Sequence, residues 1–322
     1  MPEIVTIGEV LVDVLAETVG QALSAPGRYL GPYPSGAPAI FVDQAARLGV
    51  TTAIAGAVGA DAFGKAVLGR LRASGVDVGA VRVLDDATTG VAFATYFADG
   101  SREFLFHLKD AAPGRFREDD VPAALFAGCR FFHIMGSSLF SPPMIAAIRR
   151  GIALAEAAGA QISFDPNIRP ALLRAPFVAE AIHEIARRAD ILMPSEVDLA
   201  FLCPGAEVEA ALTTMLSWRA RRVFLKLGAA GSRYADHSQR LSAPPFATTE
   251  IDPTGAGDCA GATFLASLLR DLPLARALAR ANAAGALAVA KRGPMEGNSD
   301  EATLSAFIAA AAKPAPAQEE RG

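Results

Sequence analysis

At 322 residues, 52% hydrophobic and 20% charged, the chain can bury a large core within one α/β unit. Its formal net charge of −4 gives no electrostatic ground for binding nucleic acid or an anionic membrane, so any anion site has to be built locally. Cys129, Cys203 and Cys259 are too scattered for a disulfide framework or a zinc site, and His107, His133, His183 and His237 show no metal-ligand spacing.

In chain order, short β-branched runs at 4–7, 52–57, 131–134, 161–165, 191–194 and 222–227 read as strands. Ala- and Leu-rich stretches at 37–48, 64–74, 144–158 and 177–188 read as helices between them. That alternation is the pattern of a mainly parallel sheet covered by helices, an α/β fold. Two segments, 10–33 and 89–107, break the rhythm and read as strand ribbons, the second turning near Asp99-Gly100. The Pro-, Ala- and Glu-rich end, 313–322, lacks an apolar period and is expected to be disordered, leaving 1–312 as one domain. No basic leader opens the chain and no apolar stretch is long enough to span a bilayer, so a cytoplasmic location is expected.

Two glycine motifs compete as phosphate sites. Gly59-Ala60-Asp61-Ala62-Phe63-Gly64-Lys65-Ala66 nearly spells a P-loop, but Ala66 stands where a hydroxyl must hold magnesium, so it reads as a structural turn. Asp252-Pro253-Thr254-Gly255-Ala256-Gly257-Asp258 is stronger. Two glycines flank one small residue directly before an apolar helical run, so the amides of Gly255, Ala256 and Gly257 lie open to an anion at a helix N-terminus. A permanent carboxylate beside a phosphate cradle is repelled by it, so Asp258 reads as a proton acceptor or a helix cap. The same residues satisfy the loose GxGxxG/A pattern of NAD-dependent dehydrogenases. Against that reading stand the motif's late position, the charge of Asp258 and the lack of an acidic strand end about twenty residues on.

The motif resembles DTxGAGD, the C-terminal signature of the ribokinase/PfkB family of carbohydrate kinases, and the likeness runs from about Ile4 to about Ala311. The resemblance implies a ribokinase-like three-layer α/β/α sandwich, with the two ribbons as a small β-sheet lid also used for dimer contact. It implies that Asp258 deprotonates the sugar and that Gly255, Ala256 and Gly257 hold the transferring phosphate. Gly8-Glu9-Val10-Leu11-Val12-Asp13 resembles the family's GExLxD start, which makes Asp13 a sugar contact, a turn Asp being the plain alternative. Ser35-Gly36-Ala37-Pro38-Ala39-Ile40 resembles GGAPAN and places Gly36 beside the sugar. Here Ile40 replaces the usual Asn, and Asp43 or Gln44 is the expected compensation.

Asp165-Pro166-Asn167-Ile168-Arg169-Pro170 resembles the DPNxRP stretch of fructokinase-like and 2-keto-3-deoxygluconate kinase-like members, in which Arg169 reaches substrate or phosphate unless it is tied in a structural ion pair. Lys226-Leu227-Gly228-Ala229-Ala230-Gly231 resembles the KLGxxG nucleotide loop, assigning Lys226, Gly228 and Gly231 to ATP, with Asn282 on the adenine side. Ser195-Glu196-Val197-Asp198 falls at the family's NxxE position, leaving Glu196 and Asp198 both open as the carboxylate that organises Mg2+. Asp252 with Lys291-Arg292-Gly293-Pro294 resembles a monovalent-cation loop, which would take K+. Together these imply an ATP- and Mg2+-dependent kinase acting on the primary hydroxyl of a ketohexose or 2-keto-3-deoxyaldonate. A nucleoside kinase of the same fold and a non-catalytic sugar-binding regulator are the alternatives.

Overall fold

The computed structural model describes residues 1–311 apart from Gly100 and Arg174; the expected disordered end and the glycine of the Asp99-Gly100 turn lie outside the described residues. The first half of the chain runs β1 (Ile4–Ile7), β2 (Leu11–Ala16), β3 (Tyr29–Ser35), α1 (Ala37–Arg47), β4 (Thr52–Gly59), α2 (Ala62–Ala73), β5 (Asp77–Leu84), β6 (Gly90–Tyr96), β7 (Arg102–His107) and β8 (Phe131–Met135). The second half runs α3 (Pro142–Ala157), β9 (Gln161–Asp165), α4 (Pro176–Arg188), β10 (Ile191–Leu192), α5 (Glu196–Leu202), α6 (Val208–Ser217), β11 (Arg222–Lys226), β12 (Ser232–Asp236), β13 (Arg240–Ala243), α7 (Ala256–Leu269), α8 (Leu274–Val289) and α9 (Glu301–Ala311).

Nine strands form one sheet in the order β13-β12-β11-β10-β9-β8-β1-β4-β5. It is parallel from β11 to β5, and β12 and β13 close it as an antiparallel edge. The buried strands read as continuous apolar runs because helices cover both faces. One face packs on α3, α4 and α6 through Ile148, Ile182 and Leu212. The other packs on α1, α7 and α8 through Phe41, Phe264 and Leu278.

The two segments that broke the sequence rhythm meet as a separate four-stranded sheet in the order β3-β2-β6-β7. Chain-distant ribbons join through the parallel pair β2 and β6, Leu11 opposite Gly90. The near-P-loop turn is structural, as its missing hydroxyl implied. Asp61 caps α2 through the amide of Gly64 at 2.8 Å and also accepts from the backbone and hydroxyl of Thr89, which leads into β6. Among the described residues no helix is long and apolar enough to cross a membrane.

Candidate active site

The carboxyl ends of the parallel strands converge on one edge, where ligands of open α/β sheets gather. β1 delivers Glu9 and, through β2, Asp13. β9 ends in Asp165 and leads to Asn167 and Arg169, and β11 ends in Lys226. α7 enters the same edge by its N-terminus. Gly255 precedes its first turn at φ 82°, no side chain caps the helix, and a Cβ on Gly255 would collide with the carbonyl oxygen of Pro294. Only glycine fits there, and the uncapped amides beyond it remain a cradle for an anion.

Asp258 sits in that first turn with 6% of its surface exposed. Burial is the main force raising its carboxyl to about 7, and the charge of Asp165 adds to this, while Lys226 and Arg169 oppose it. Asn167 donates from its side-chain amide to Oδ1 of Asp258 at 3.3 Å. Asp258 therefore does not cap its own helix. Asp13 is also buried and is raised to about 7, first by desolvation and then by Asp252, against the Ser35 hydroxyl and Arg169. Arg169 and Glu9 act electrostatically on both Asp13 and Asp258, which places the two carboxylates around one space.

Among the described residues Arg169 makes no structural ion pair of the kind the sequence left open. Its guanidinium lies over the ring of Phe104 on β7, 5.6 Å from the centroid. Phe104 and Phe106 stack on each other with centroids 5.5 Å apart, so the aromatic surface of β7 meets Arg169 at Phe104. Gly36 precedes α1 at φ 108°, and a Cβ on it would collide with the Glu9 carbonyl. Its bare backbone thus lets α1 approach the end of β1.

Several expected roles meet a different geometry. Lys226 pairs with Asp165, and its Nζ would stand 3.3 Å from a Cβ on Gly257, so it lies beneath the anion turn with a carboxylate already bound. Gly228 and Gly231 bracket the turn from β11 to β12 beside it. Asn282 spends its amide on the carbonyls of Ala243 (3.1 Å) and Pro244 (2.8 Å), holding the exit of β13 against α8.

Asp198 does not fit a magnesium ligand. Its Oδ1 accepts from the Ile168 amide at 2.8 Å, and its Oδ2 accepts from the amide and hydroxyl of Ser195, closing a capping box on α5. Glu196, two residues earlier, is exposed. No group of three or more acidic, His or Cys side chains among the described residues could cage a metal.

Asp252 is buried and partly engaged. Its Oδ1 accepts from the Tyr96 hydroxyl (2.7 Å) and the Thr254 amide (3.0 Å), and its Oδ2 from the Gly293 amide (2.9 Å). Asp43 and Gln44 do not compensate for Ile40. Asp43 is bound by Arg47, Arg70 and Asn298, and Gln44 by Ser299 and Thr263, so both side chains are engaged in the core, while Ile40 itself packs against Gly255.

Sequence reading missed four residues here. Glu9 is buried with Ser137 (2.8 Å) and Ser138 (2.5 Å) donating to its carboxylate, and desolvation raises it. Glu9 and Asn167 stood inside motifs already singled out, and their polarity at strand ends was the available signal. Tyr96 and Arg102 lie on the small sheet, and nothing local in the sequence points them at residue 252.

The model of the pfkB family carbohydrate kinases matches residues 1–301. The chain belongs to the pfkB family of carbohydrate kinases. It is 33% identical to fructokinase-1 of Zea mays over 315 residues, covering 95% of this chain and 97% of that one. Among solved structures, an E. coli protein provisionally named ribokinase II, in complex with ATP and Mg2+, superposes with a TM-score of 0.91 at 42% identity over 96% of this chain and all of that one. A Vibrio cholerae fructokinase double mutant with fructose, ADP and potassium bound superposes at 0.84 with 27% identity, over 96% and 98%. Family membership makes this protein an ATP-dependent sugar kinase with an alcohol group as acceptor, and its architecture is ribokinase-like. The dehydrogenase reading of the Gly255 motif falls with this finding.

Proposed function

We propose that this pfkB-family protein is a cytoplasmic fructokinase-like enzyme that transfers the γ-phosphoryl group of ATP to the primary hydroxyl of a ketohexose. The observation that carries the mechanism is the position of Asp258, buried in the first turn of α7 directly behind the uncapped amides of Gly255, Ala256 and Gly257. The sugar hydroxyl gives its proton to the Oδ of Asp258 not bound by Asn167, as its oxygen attacks the γ-phosphorus in line with the leaving β,γ-bridging oxygen. The cradle amides hold the phosphoryl oxygens as charge redistributes. Asp13 orients sugar hydroxyls, and Arg169 brings a permanent positive charge to the same space. Glu196 is the residue placed to hold hydrated Mg2+, which when bound neutralises charge on the transferring group. The four-stranded sheet covers the sugar and excludes water. Leu105, 49% exposed on edge strand β7, is the lid position left for a homodimer contact.

One feature supports a 2-keto-3-deoxyaldonate as a second reading. Desolvation and then the charge of Arg169 hold the Arg102 guanidinium, on β7, below its ordinary range. Two guanidiniums near enough to repel each other would suit a carboxylate. A coupled ADP-release screen over fructose, other ketohexoses, aldohexoses, keto-deoxy acids and nucleosides tests both readings, with Arg102→Met and Arg169→Met as controls. Loss of turnover on acids alone in both variants assigns the acid substrate, and activity only on nucleosides, or none at all, overturns the sugar-kinase reading.

A further inference from the structure

The amino ends of the parallel strands lie on the edge of the sheet opposite the phosphate cradle, and a cavity of about 500 Å³ opens there between the end of α3 and the starts of β9, β10 and β11. Its charged lining is Glu156, Asp190, Arg219 and Arg221. β9 runs from Gln161 in this cavity to Asp165 in the active site, a distance of roughly 13 Å at the rise of a strand, so a small ligand in one does not touch the other. Asp190 forms the floor, with its side chain 4% exposed. Its Oδ2 accepts from the Ile162 amide at 2.9 Å, and its Oδ1 is approached by Nε of Arg219 at 3.3 Å and Nε of Arg221 at 3.9 Å. Both guanidiniums are thus gathered on one buried carboxylate through Nε, and their terminal nitrogens are not spent on it.

Glu156 is compensated on both oxygens, by Arg219 at 2.8 Å and by Arg188 at 3.0 Å. Three guanidiniums therefore surround two carboxylates, and the surplus rests on Arg221, whose side chain is 70% exposed and whose contact with Asp190 is longer than a hydrogen bond. Gln161 gives its side-chain oxygen to Arg222 at 3.5 Å, which leaves its amide nitrogen as a neutral donor on the same wall. Planar guanidinium forks with terminal nitrogens to spare match phosphate oxygens, and a doubly charged anion competes better than a carboxylate for Arg219, which Glu156 already holds. The cavity is of the size that takes small molecules. We propose that it is a second anion site, which binds a phosphate dianion, as the free ion or on a small ester, through Arg219 and Arg221.

The test is the melting temperature of the full chain with the phosphate cradle filled by β,γ-imido-ATP and Mg2+, so that added anion reads the second site alone. Glycerol 3-phosphate at about 20 mM is expected to raise it by about 2 °C or more over NaCl of equal ionic strength, because a ligand stabilises the state that it binds. Arg221→Gln, at an exposed position, should fold and lose most of that rise, and Arg219→Gln should lose it too. Where Arg219→Gln fails to fold, Arg221→Glu takes its place. Arg169→Met, altered at the catalytic edge, should keep the rise in full. Inorganic phosphate at the same concentration distinguishes the two sources: an equal rise assigns the free ion and a smaller one assigns an ester, and either supports the site. No rise in the wild type, a rise that survives Arg221→Gln and Arg221→Glu, or one that disappears in Arg169→Met overturns the inference.

Discussion

The side-chain amide of Asn167 donates to Oδ1 of Asp258 at 3.3 Å from a residue whose own backbone is left-handed, at φ 39°. Its backbone amide donates to Oδ1 of Asp165 at 3.1 Å, so Asn167 touches both buried carboxylates of the floor. Asn tolerates that conformation better than most side chains, and the bond fixes one oxygen of Asp258 while leaving the other for the sugar. Asn167→Gly keeps the backbone free to stay left-handed and removes the donor. It is expected to lower kcat about tenfold and to move the acid limb of the kcat/KM profile to higher pH, because a bond to the ionised form is lost. An acid limb that stays put would leave Asn167 a purely structural residue.

Asp258 must be ionised to accept a proton, and its buried carboxyl titrates at about 7. Activity of the free enzyme should therefore rise through neutrality and fall toward tenfold per unit of pH on the acid side. Asp258→Asn keeps the shape of the side chain and removes the base. Turnover is expected to drop by about 10²–10⁴-fold with ATP affinity nearly kept, read by steady-state kinetics and nucleotide titration calorimetry. Full activity in that variant would exclude the base.

Gly255 and Gly257 look equivalent in the sequence, and the structure separates them. A methyl on Gly255 meets the Pro294 carbonyl and a left-handed φ of 82°, both backbone constraints. On Gly257 it meets only the end of the Lys226 side chain at 3.3 Å. Gly255→Ala should destabilise the fold by about 2 kcal/mol or more, whereas Gly257→Ala should change stability by less than about 1 kcal/mol. Urea unfolding of the two variants provides the comparison.

What the sequence made legible follows the range of the interactions involved. β1, β4, β8, β9 and β11 and helices α1 to α4 fell within a few residues of their expected positions, because apolar period and glycine turns are local signals. The two ribbons were visible as non-βαβ segments, but their union through β2 and β6 pairs residues about eighty positions apart, which no local pattern encodes. The site divides the same way. Asp13, Arg169 and Asp258 come to one space because each stands at a strand end or helix start that topology brings to the same edge. Asp198 and Asp252 carried the right chemistry in the right motifs, yet neighbouring amides and hydroxyls already engage both oxygens of each. Motif spacing says which side chains arrive. It does not say which lone pairs remain.

The most general consequence concerns stability, since the carboxyl that serves turnover is held where its charge is costly. In the unfolded chain Asp258 titrates near 3.8, and in the fold at about 7. Between these values the folded state keeps a proton that the unfolded state releases, so raising the pH from about 4 to about 7 drains stability from the fold, and above about 7 the loss is complete. The difference corresponds to roughly 4 kcal/mol at most for this one residue. Asp258→Asn is neutral throughout and cannot lose it. The sugar-free variant is therefore expected to unfold at higher denaturant concentration than the wild type at pH 8, and the gap should close as the pH approaches 4. A gap that is independent of pH, or of opposite sign, would show that the Asp258 charge is not destabilising in the fold and would remove the physical basis for its raised titration.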